Sequence, residues 1–304
     1  MKKYFLQTIV AALFLGGISF FQACGDSEDV NGKVDMESMD PAEREKNEKA
    51  EKVRKILYSI PSPVETAHVV KLSGVDFDKN SMNDANNVGD YSTTKRQAVN
   101  LGVYGADLAY SSIFEQSREA LRYFSAVKLL SDELGVSSII NDENISRFER
   151  NIENRDSLVV FINEIFWAID ATLSEDDRGY VSAIVMTGGW VEALYILMYN
   201  GRDVQDAEDR KRIKQLIADQ QYSLNNIIKL LDVYREEADL SGIVADMESI
   251  NQLLEQVTRQ RQETTISKED GKVVLGGQDQ VAISDDLYEE IYAVVRNVRD
   301  KYVN

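Results

Sequence analysis

The chain is 304 residues long and carries 52 acidic residues against 34 basic ones, a net charge of −18. It is long enough for one large or two small domains, and its acidic surface repels phosphate backbones, which excludes nucleic acid as a partner. The single cysteine, Cys24, and the single histidine, His68, give no basis for a disulfide, a zinc–thiolate site or an iron–sulfur cluster, and we expect no metal or other cofactor.

The first 24 residues have the layout of a secretory signal peptide. Two lysines precede an apolar run over Phe5–Phe21, and the small residue Ala23 comes directly before Cys24. This arrangement resembles the lipobox of bacterial lipoproteins, in which the cysteine is diacylated and becomes the new N-terminus, although Phe and Gln stand where Leu and a small residue are usual. An uncleaved N-terminal membrane helix is the alternative. Cys24 is therefore the predicted lipidation site.

The residues after Cys24 refine the predicted location. Asp26, Glu28 and Asp29 form an acidic run that is similar to the surface-export signal of Bacteroidota lipoproteins, whereas a plain solvated tether would have the same composition. We expect the protein at the outer membrane, held by its lipid, on either the periplasmic or the cell-surface face. The predicted organisation is a signal peptide (1–23), a lipidated tether (24–40), a charged spacer helix (41–60) and a helical domain (61–304).

Within the helical domain, apolar residues recur at helical spacing, and polar residues suited to helix capping lie between the apolar segments. Helices are predicted over 95–110, 143–151, 155–173, 205–238, 241–262 and 284–302, with a short segment at 65–72. Ser112–Glu115 reads as a capping box that starts a further helix to residue 134, and Ser174–Asp177 reads as the cap of another that ends near Gly201.

One segment near the C-terminus favours strand. Asp270 and Gly271, a dipeptide typical of two-residue hairpin turns, separate two runs that contain Thr, Ile and Val. The fold class is therefore predicted as all-α, a bundle of about seven to nine helices with one small β-hairpin. A helical-repeat array is the alternative, although no period of about 34 residues is found.

Three segments carry a family resemblance: N-L-G-V-Y-G-A-D at 100–107, T-G-G-W-V-E at 187–192 and D-G-K-V-V-L-G-G at 270–277. They resemble an uncharacterised all-helical lipoprotein family of Bacteroidota, over about residues 60–302. The resemblance implies a lipid-anchored helical envelope protein and brings no known activity.

The candidate functional residues lie on the two most unusual helices. Gly188 and Gly189 weaken a helix interior, which indicates close approach by a neighbouring helix or a small groove under Trp190. The buried-looking carboxylates Asp107 and Glu192 need polar partners, for which tyrosines are available. The residues predicted to contact a ligand are Tyr104, Asp107, Gly188, Gly189, Trp190 and Glu192.

Two functions are compatible with these features. The first is a non-catalytic envelope lipoprotein whose helical body binds a partner protein or a small ligand. The second is a hydrolase or transferase that uses buried carboxylates, which requires two of Asp107, Glu164, Asp170 and Glu192 to face one cavity.

Overall fold

Two helices, α3 (Thr94–Ile113) and α7 (Gly179–Gly201), form the centre of the fold. The computed structural model describes residues 40–260, 265–269, 272–276 and 280–304, and within them α3 and α7 form the most extensive contact between any two elements. All residues of α3 from Gln97 to Ile113 are buried. A helix buried on every side is typical of a bundle, whereas repeat arrays leave one face of each helix open.

Eight further helices surround this pair, and most begin at a side chain that caps the first turn. Ser62, Asn141, Asn154, Asp206 and Ser284 each accept a hydrogen bond from a backbone N–H of the following helix. The helices are α1 (Pro41–Leu57), α2 (Pro63–Leu72), α4 (Ser117–Glu133), α5 (Asp142–Arg150), α6 (Arg155–Glu175), α8 (Ala207–Val233), α9 (Ser241–Leu254) and α10 (Asp285–Val303). Two short 3₁₀ helices, Lys79–Ser81 and Ala85–Asp90, lie between α2 and α3.

The chain divides into two units, of which Glu45–Asn304 contains the core. Of the other unit, Met1–Arg44, the structure describes residues 40–44, and Cys24 with its signal and acidic run lies outside the described residues. Val53 and Leu57 of α1 are buried in the same apolar cluster as the central helices, while most other α1 side chains are exposed.

In the described residues after α9, four short strands form two antiparallel pairs. β1 (Thr258–Gln260) pairs with β4 (Gln280–Ala282), with Arg259 opposite Val281. β2 (Thr265–Glu269) pairs with β3 (Lys272–Gly276), with Ser267 opposite Val274. Because Asp270 and Gly271 lie outside the described residues, the predicted hairpin turn stays a prediction.

The all-α class is confirmed, but the predicted helix number is too low, since the described residues already contain ten α-helices. The additional helix is α2, which begins at Pro63 and covers the short segment predicted at 65–72. Ser62 and Glu65 form a capping box there: the Ser62 side chain accepts from the Glu65 N–H, and the Glu65 carboxylate accepts from the Ser62 N–H. His68 is exposed on this helix.

Several predicted boundaries are wrong. Ser112 does not cap a helix, because α3 continues to Ile113, and Glu115 (φ 60°) then adopts a left-handed conformation before α4 begins. Ser174 likewise lies within α6, and Asp177 (φ 56°) makes the break before α7. Glycine is the residue that usually takes this conformation, so the two acidic residues gave no signal for it. The helix predicted to end at 262 ends at Leu254, and the one predicted to end at 238 ends at Val233.

The close approach predicted at Gly188 is confirmed. A Cβ atom on Gly188 would overlap the carbonyl oxygen of Val99 on α3, and one on Gly102 would overlap the carbonyl oxygen of Val185 on α7. The two backbones therefore lie in direct contact, which only residues without a side chain allow.

We expect Gly188→Ala to lower the free energy of unfolding by about 2 kcal/mol or more, because the added methyl group forces the α3 and α7 backbones apart. Urea denaturation of the purified protein measures this change. Gly242→Ala is the matched control: a Cβ at Gly242 meets nothing within 4 Å, and the substitution should stabilise by about 0.4–1 kcal/mol. Equal stability of the two variants would show that the helices tolerate a wider separation.

Candidate functional site

The contact between α3 and α7 brings two carboxyl groups together in the protein interior. Asp107 on α3 and Glu192 on α7 are both 0% exposed, and Arg299 on α10 is 8% exposed. Glu192 accepts two hydrogen bonds from Arg299, at 2.6 Å from Nε and 2.8 Å from Nη2. This paired geometry fixes the position of α10 against the central helices.

Asp107 has no cation of its own. Its Oδ2 accepts a hydrogen bond from the backbone N–H of Asn83 (3.2 Å), whereas its Oδ1 receives none from any donor in the described residues. Burial, followed by the charge of Glu192, raises the pKa of Asp107 well above its usual range, and the two carboxyl groups also hydrogen-bond to each other. The raised pKa favours the protonated form of Asp107 beside Glu192, whose charge is balanced by Arg299.

Nearby tyrosines complete the packing around this buried carboxyl pair. The guanidinium of Arg299 lies over the ring of Tyr195, at 4.2 Å from its centroid. Tyr104 donates its hydroxyl hydrogen to the carbonyl oxygen of Asp84 (3.0 Å), and burial raises the pKa of Tyr104 far above its usual value. Tyrosines therefore lie close to the pair, but the hydrogen bonds to Asp107 and Glu192 come from Asn83 and Arg299 and not from the predicted tyrosines.

The raised pKa of Asp107 gives a pH dependence that Asp107→Asn should remove. Because the folded protein binds the Asp107 proton more tightly than the unfolded chain does, its contribution to stability is full at low pH. It is then lost as the pH rises through the folded-state pKa. Asparagine can donate to Glu192 and accept from Asn83 without titrating, so the variant should gain stability relative to the wild type as the pH is raised from 4 to 8.

Chemical denaturation across this pH range measures the difference between the two proteins. Arg299→Met serves as the comparison, since it leaves Glu192 buried without a counter-charge and should cost about 3–5 kcal/mol at neutral pH. If wild type and Asp107→Asn showed the same pH profile, Asp107 would be ionised in the folded protein.

A second feature, which we call the aromatic cleft, reaches the surface between α6, α7 and the turn that joins α1 to α2. Its volume is about 90 Å³, several times the ~10–15 Å³ that one water molecule needs, and its walls are mostly apolar. The α6 and α7 residues that line it are Asn163, Phe166, Trp167, Ile169, Asp170, Ser182, Val185, Met186, Gly189 and Trp190.

Both tryptophans of the chain line this cleft. Trp190 forms an inner wall, buried, with its indole N–H donating to the side chain of Gln220 on α8 (3.1 Å). Trp167 is 47% exposed and lies beside Tyr58, which is 71% exposed, with 5.4 Å between the ring centroids. Such exposed aromatic pairs beside a cavity are typical of binding surfaces.

Asp170 is the acidic group of the aromatic cleft. It is half-buried, and its Oδ1 accepts a hydrogen bond from the hydroxyl of Ser182. Burial raises the pKa of Asp170 above its usual value, while the Ser182 hydrogen bond opposes this effect. Within the described residues no Lys or Arg forms an ion pair with Asp170.

A wider groove of about 800 Å³ adjoins the aromatic cleft and shares Leu57, Trp167 and Asp170 with it. Its other walls come from α1, from the end of α6 and from Tyr234. Its two lysines are already paired with acidic residues across the groove: Lys46 with Asp177 at 2.9 Å, and Lys49 with Glu237.

The structure separates the sequence-predicted residues into two places. Gly189 and Trp190 line the aromatic cleft. Gly188 faces the Val99 carbonyl on α3, and Tyr104, Asp107 and Glu192 are in the interior. Their role as ligand contacts stays a prediction.

Of the four candidate carboxylates, only Asp107 and Glu192 converge as a pair. Neither lines the aromatic cleft or the adjoining groove. Asp170 faces the cleft, and Glu164 is exposed and pairs with Arg147 at 2.5 Å. The sequence analysis did not select Trp167, Tyr58 or Ser182. The signal for Trp167 was available, because α6 is apolar around too much of its circumference to bury every apolar side chain.

Length and composition alone would allow α6 and α7 to cross a membrane, but the most apolar window of α7 is 94% buried inside the protein and that of α6 only 33%. α7 is thus a core helix, and α6 presents apolar surface next to the cleft. No protein-family model, no curated protein and no solved structure matches this chain, so the resemblance to a Bacteroidota lipoprotein family stays a prediction.

Proposed function

We propose that this chain is a lipid-anchored protein of the cell envelope whose helical body is a non-catalytic binding module for a small ligand. The observation that carries the proposal is the aromatic cleft, where both tryptophans line an apolar space of about 90 Å³ that opens beside Tyr58. Concave, mostly apolar sites with a few polar groups are the usual form of small-ligand sites.

The competing function, a hydrolase or transferase, receives less support. It needs two carboxyl groups with access to substrate, as acid and base or as acid and nucleophile. Asp107 and Glu192 are fully buried, with Arg299 already occupying Glu192. Among the described residues that line the aromatic cleft, Asp170 is the only acidic one. We therefore favour binding over catalysis.

The lipid anchor rests on the sequence of residues 1–24, since Cys24 follows a basic and then an apolar segment. We expect Cys24→Ser to abolish incorporation of a fatty-acid analogue and to leave the precursor unprocessed at that position. Two or more acyl chains give lasting membrane attachment, whereas one gives only marginal binding. Metabolic labelling and membrane fractionation check both effects, and an unlabelled wild-type protein that is still cleaved and released would refute the anchor.

The binding function is tested with a neutral aromatic probe, 2-phenylethanol, followed by saturation-transfer NMR. We expect the probe to bind the wild-type protein and to lose binding in Met186→Trp, because Met186 lines the cleft and the larger ring fills it. Leu129→Trp on α4 is the matched control, since this residue is 41% exposed and lies outside the cleft. Binding that survives Met186→Trp unchanged would place the probe elsewhere and refute the assignment of the cleft.

A further inference from the structure

Asp170 is a half-buried carboxylate without a cation, as is the fully buried Asp107, whereas Glu192 and two exposed acidic residues of the groove each pair with one. Glu192 has Arg299, and the groove residues Asp177 and Glu237 have Lys46 and Lys49. Asp170, in contrast, has the Ser182 hydroxyl as its hydrogen-bond donor, and no basic side chain of the described residues pairs with it. A half-buried carboxylate in this setting loses hydration without gaining a counter-charge.

A cation for Asp170 is not supplied by the described residues of the groove, because Lys46 and Lys49 pair with Asp177 and Glu237, and Arg54, which also lines the groove, forms no ion pair with Asp170. It can come from a ligand, because Asp170 lines both the aromatic cleft and the adjoining groove and can be approached from either. The net charge of −18 also raises the local concentration of cations relative to anions.

The aromatic rings beside Asp170 fit the same kind of ligand. Trp167 is exposed at the cleft, and Tyr58 is exposed beside it in the adjoining groove. Indole is the aromatic side chain that attracts cations most strongly. Other cations of the protein already use rings in this way: Arg299 lies over Tyr195, and Lys49 lies 4.7 Å from the Tyr234 centroid. In the described part of the chain, no Lys or Arg lies over Trp167.

We infer that the ligand of the aromatic cleft is a small organic cation, with an ammonium group that binds Asp170 and an apolar body that packs against Trp167 and the cleft wall. The ammonium donates to the Asp170 carboxylate, whose Oδ1 is held by Ser182. A volume of about 90 Å³ limits the enclosed part of the body to one ring or a short alkyl chain. The inference rests on the proposed binding function and adds the chemical class of the ligand.

The test compares two probes of the same shape, 2-phenylethylammonium and 2-phenylethanol, titrated into the full protein at pH 8 and low salt. We expect the ammonium to bind the wild type about tenfold more tightly than the alcohol, because its positive charge is attracted to the Asp170 carboxylate and to the aromatic rings. Asp170→Asn should lower the affinity for the ammonium to that for the alcohol and leave the alcohol affinity unchanged. Glu164→Gln, which removes one exposed acidic charge from the same helix, should leave the tenfold preference in place.

The outcomes separate the inference from the function on which it rests. Equal affinity of the two probes for the wild type, or a preference that persists in Asp170→Asn, would overturn the cationic ligand while leaving the cleft as an apolar binding site. Absence of binding by either probe would overturn the proposed function as well. Thermal melting of Asp170→Asn verifies folding, and we expect no loss of stability, because the substitution removes a half-buried acid and retains an acceptor for Ser182.

Discussion

The structure depends on the direct backbone contact between α3 and α7. At Gly102 and Gly188 the backbone of the other helix leaves no room for a Cβ atom, so the distance between α3 and α7 is fixed at the crossing. The remaining helices pack around this pair. Because α7 is apolar on all sides, hydrophobicity alone does not determine which of its faces packs against α3. It is the small residues that determine which face of α7 meets α3.

The same contact explains why the protein keeps charged groups in its core. Bringing α3 against α7 places Asp107 next to Glu192, and neither can reach water. The raised pKa of Asp107 favours its neutral form, and Arg299 balances the charge of Glu192, a combination that leaves no uncompensated charge. A buried ion pair adds little net stability in general, but it penalises any arrangement in which α10 is displaced, and so it favours one packing of the bundle.

Much of the helical framework could be predicted from the sequence, because the apolar periods of α6, α8 and α10 are long and their caps are conventional. The small residues on α3 and α7 also indicated a close contact by a neighbouring helix. The helix breaks at Glu115 and Asp177 could not be predicted. An acidic residue has no intrinsic preference for the left-handed conformation, so the surrounding structure must impose it. Arg299 was missed because an arginine on an amphipathic helix usually faces water, and only the α10 packing shows that this one does not.

The candidate site divides in the same way. Trp190 and Gly189 were found because a glycine pair is unusual inside an apolar helix. The role of Trp167 depends on the residues opposite it, which include Leu57 at the end of α1 and Tyr58 directly after it, more than 100 positions away in the chain. Local periodicity carries no information about such neighbours. Asp170 was selected as a buried carboxylate, but its lack of a cation is a property of the assembled fold.

The way α10 is held has a consequence for the kinetics of folding. Its last turn accepts hydrogen bonds from Tyr91 and Asn100, which precede it by 212 and 202 positions, and Arg299 reaches Glu192 across 107 positions. A nascent chain that has been synthesised only through α9 already contains the two central helices, yet Glu192 has no positive partner. Such high contact order makes folding slow and delays its completion until α10 has docked on the central helices. The large separation in sequence between Glu192 and Arg299 thus prolongs the time during which the folding chain lacks its final packing.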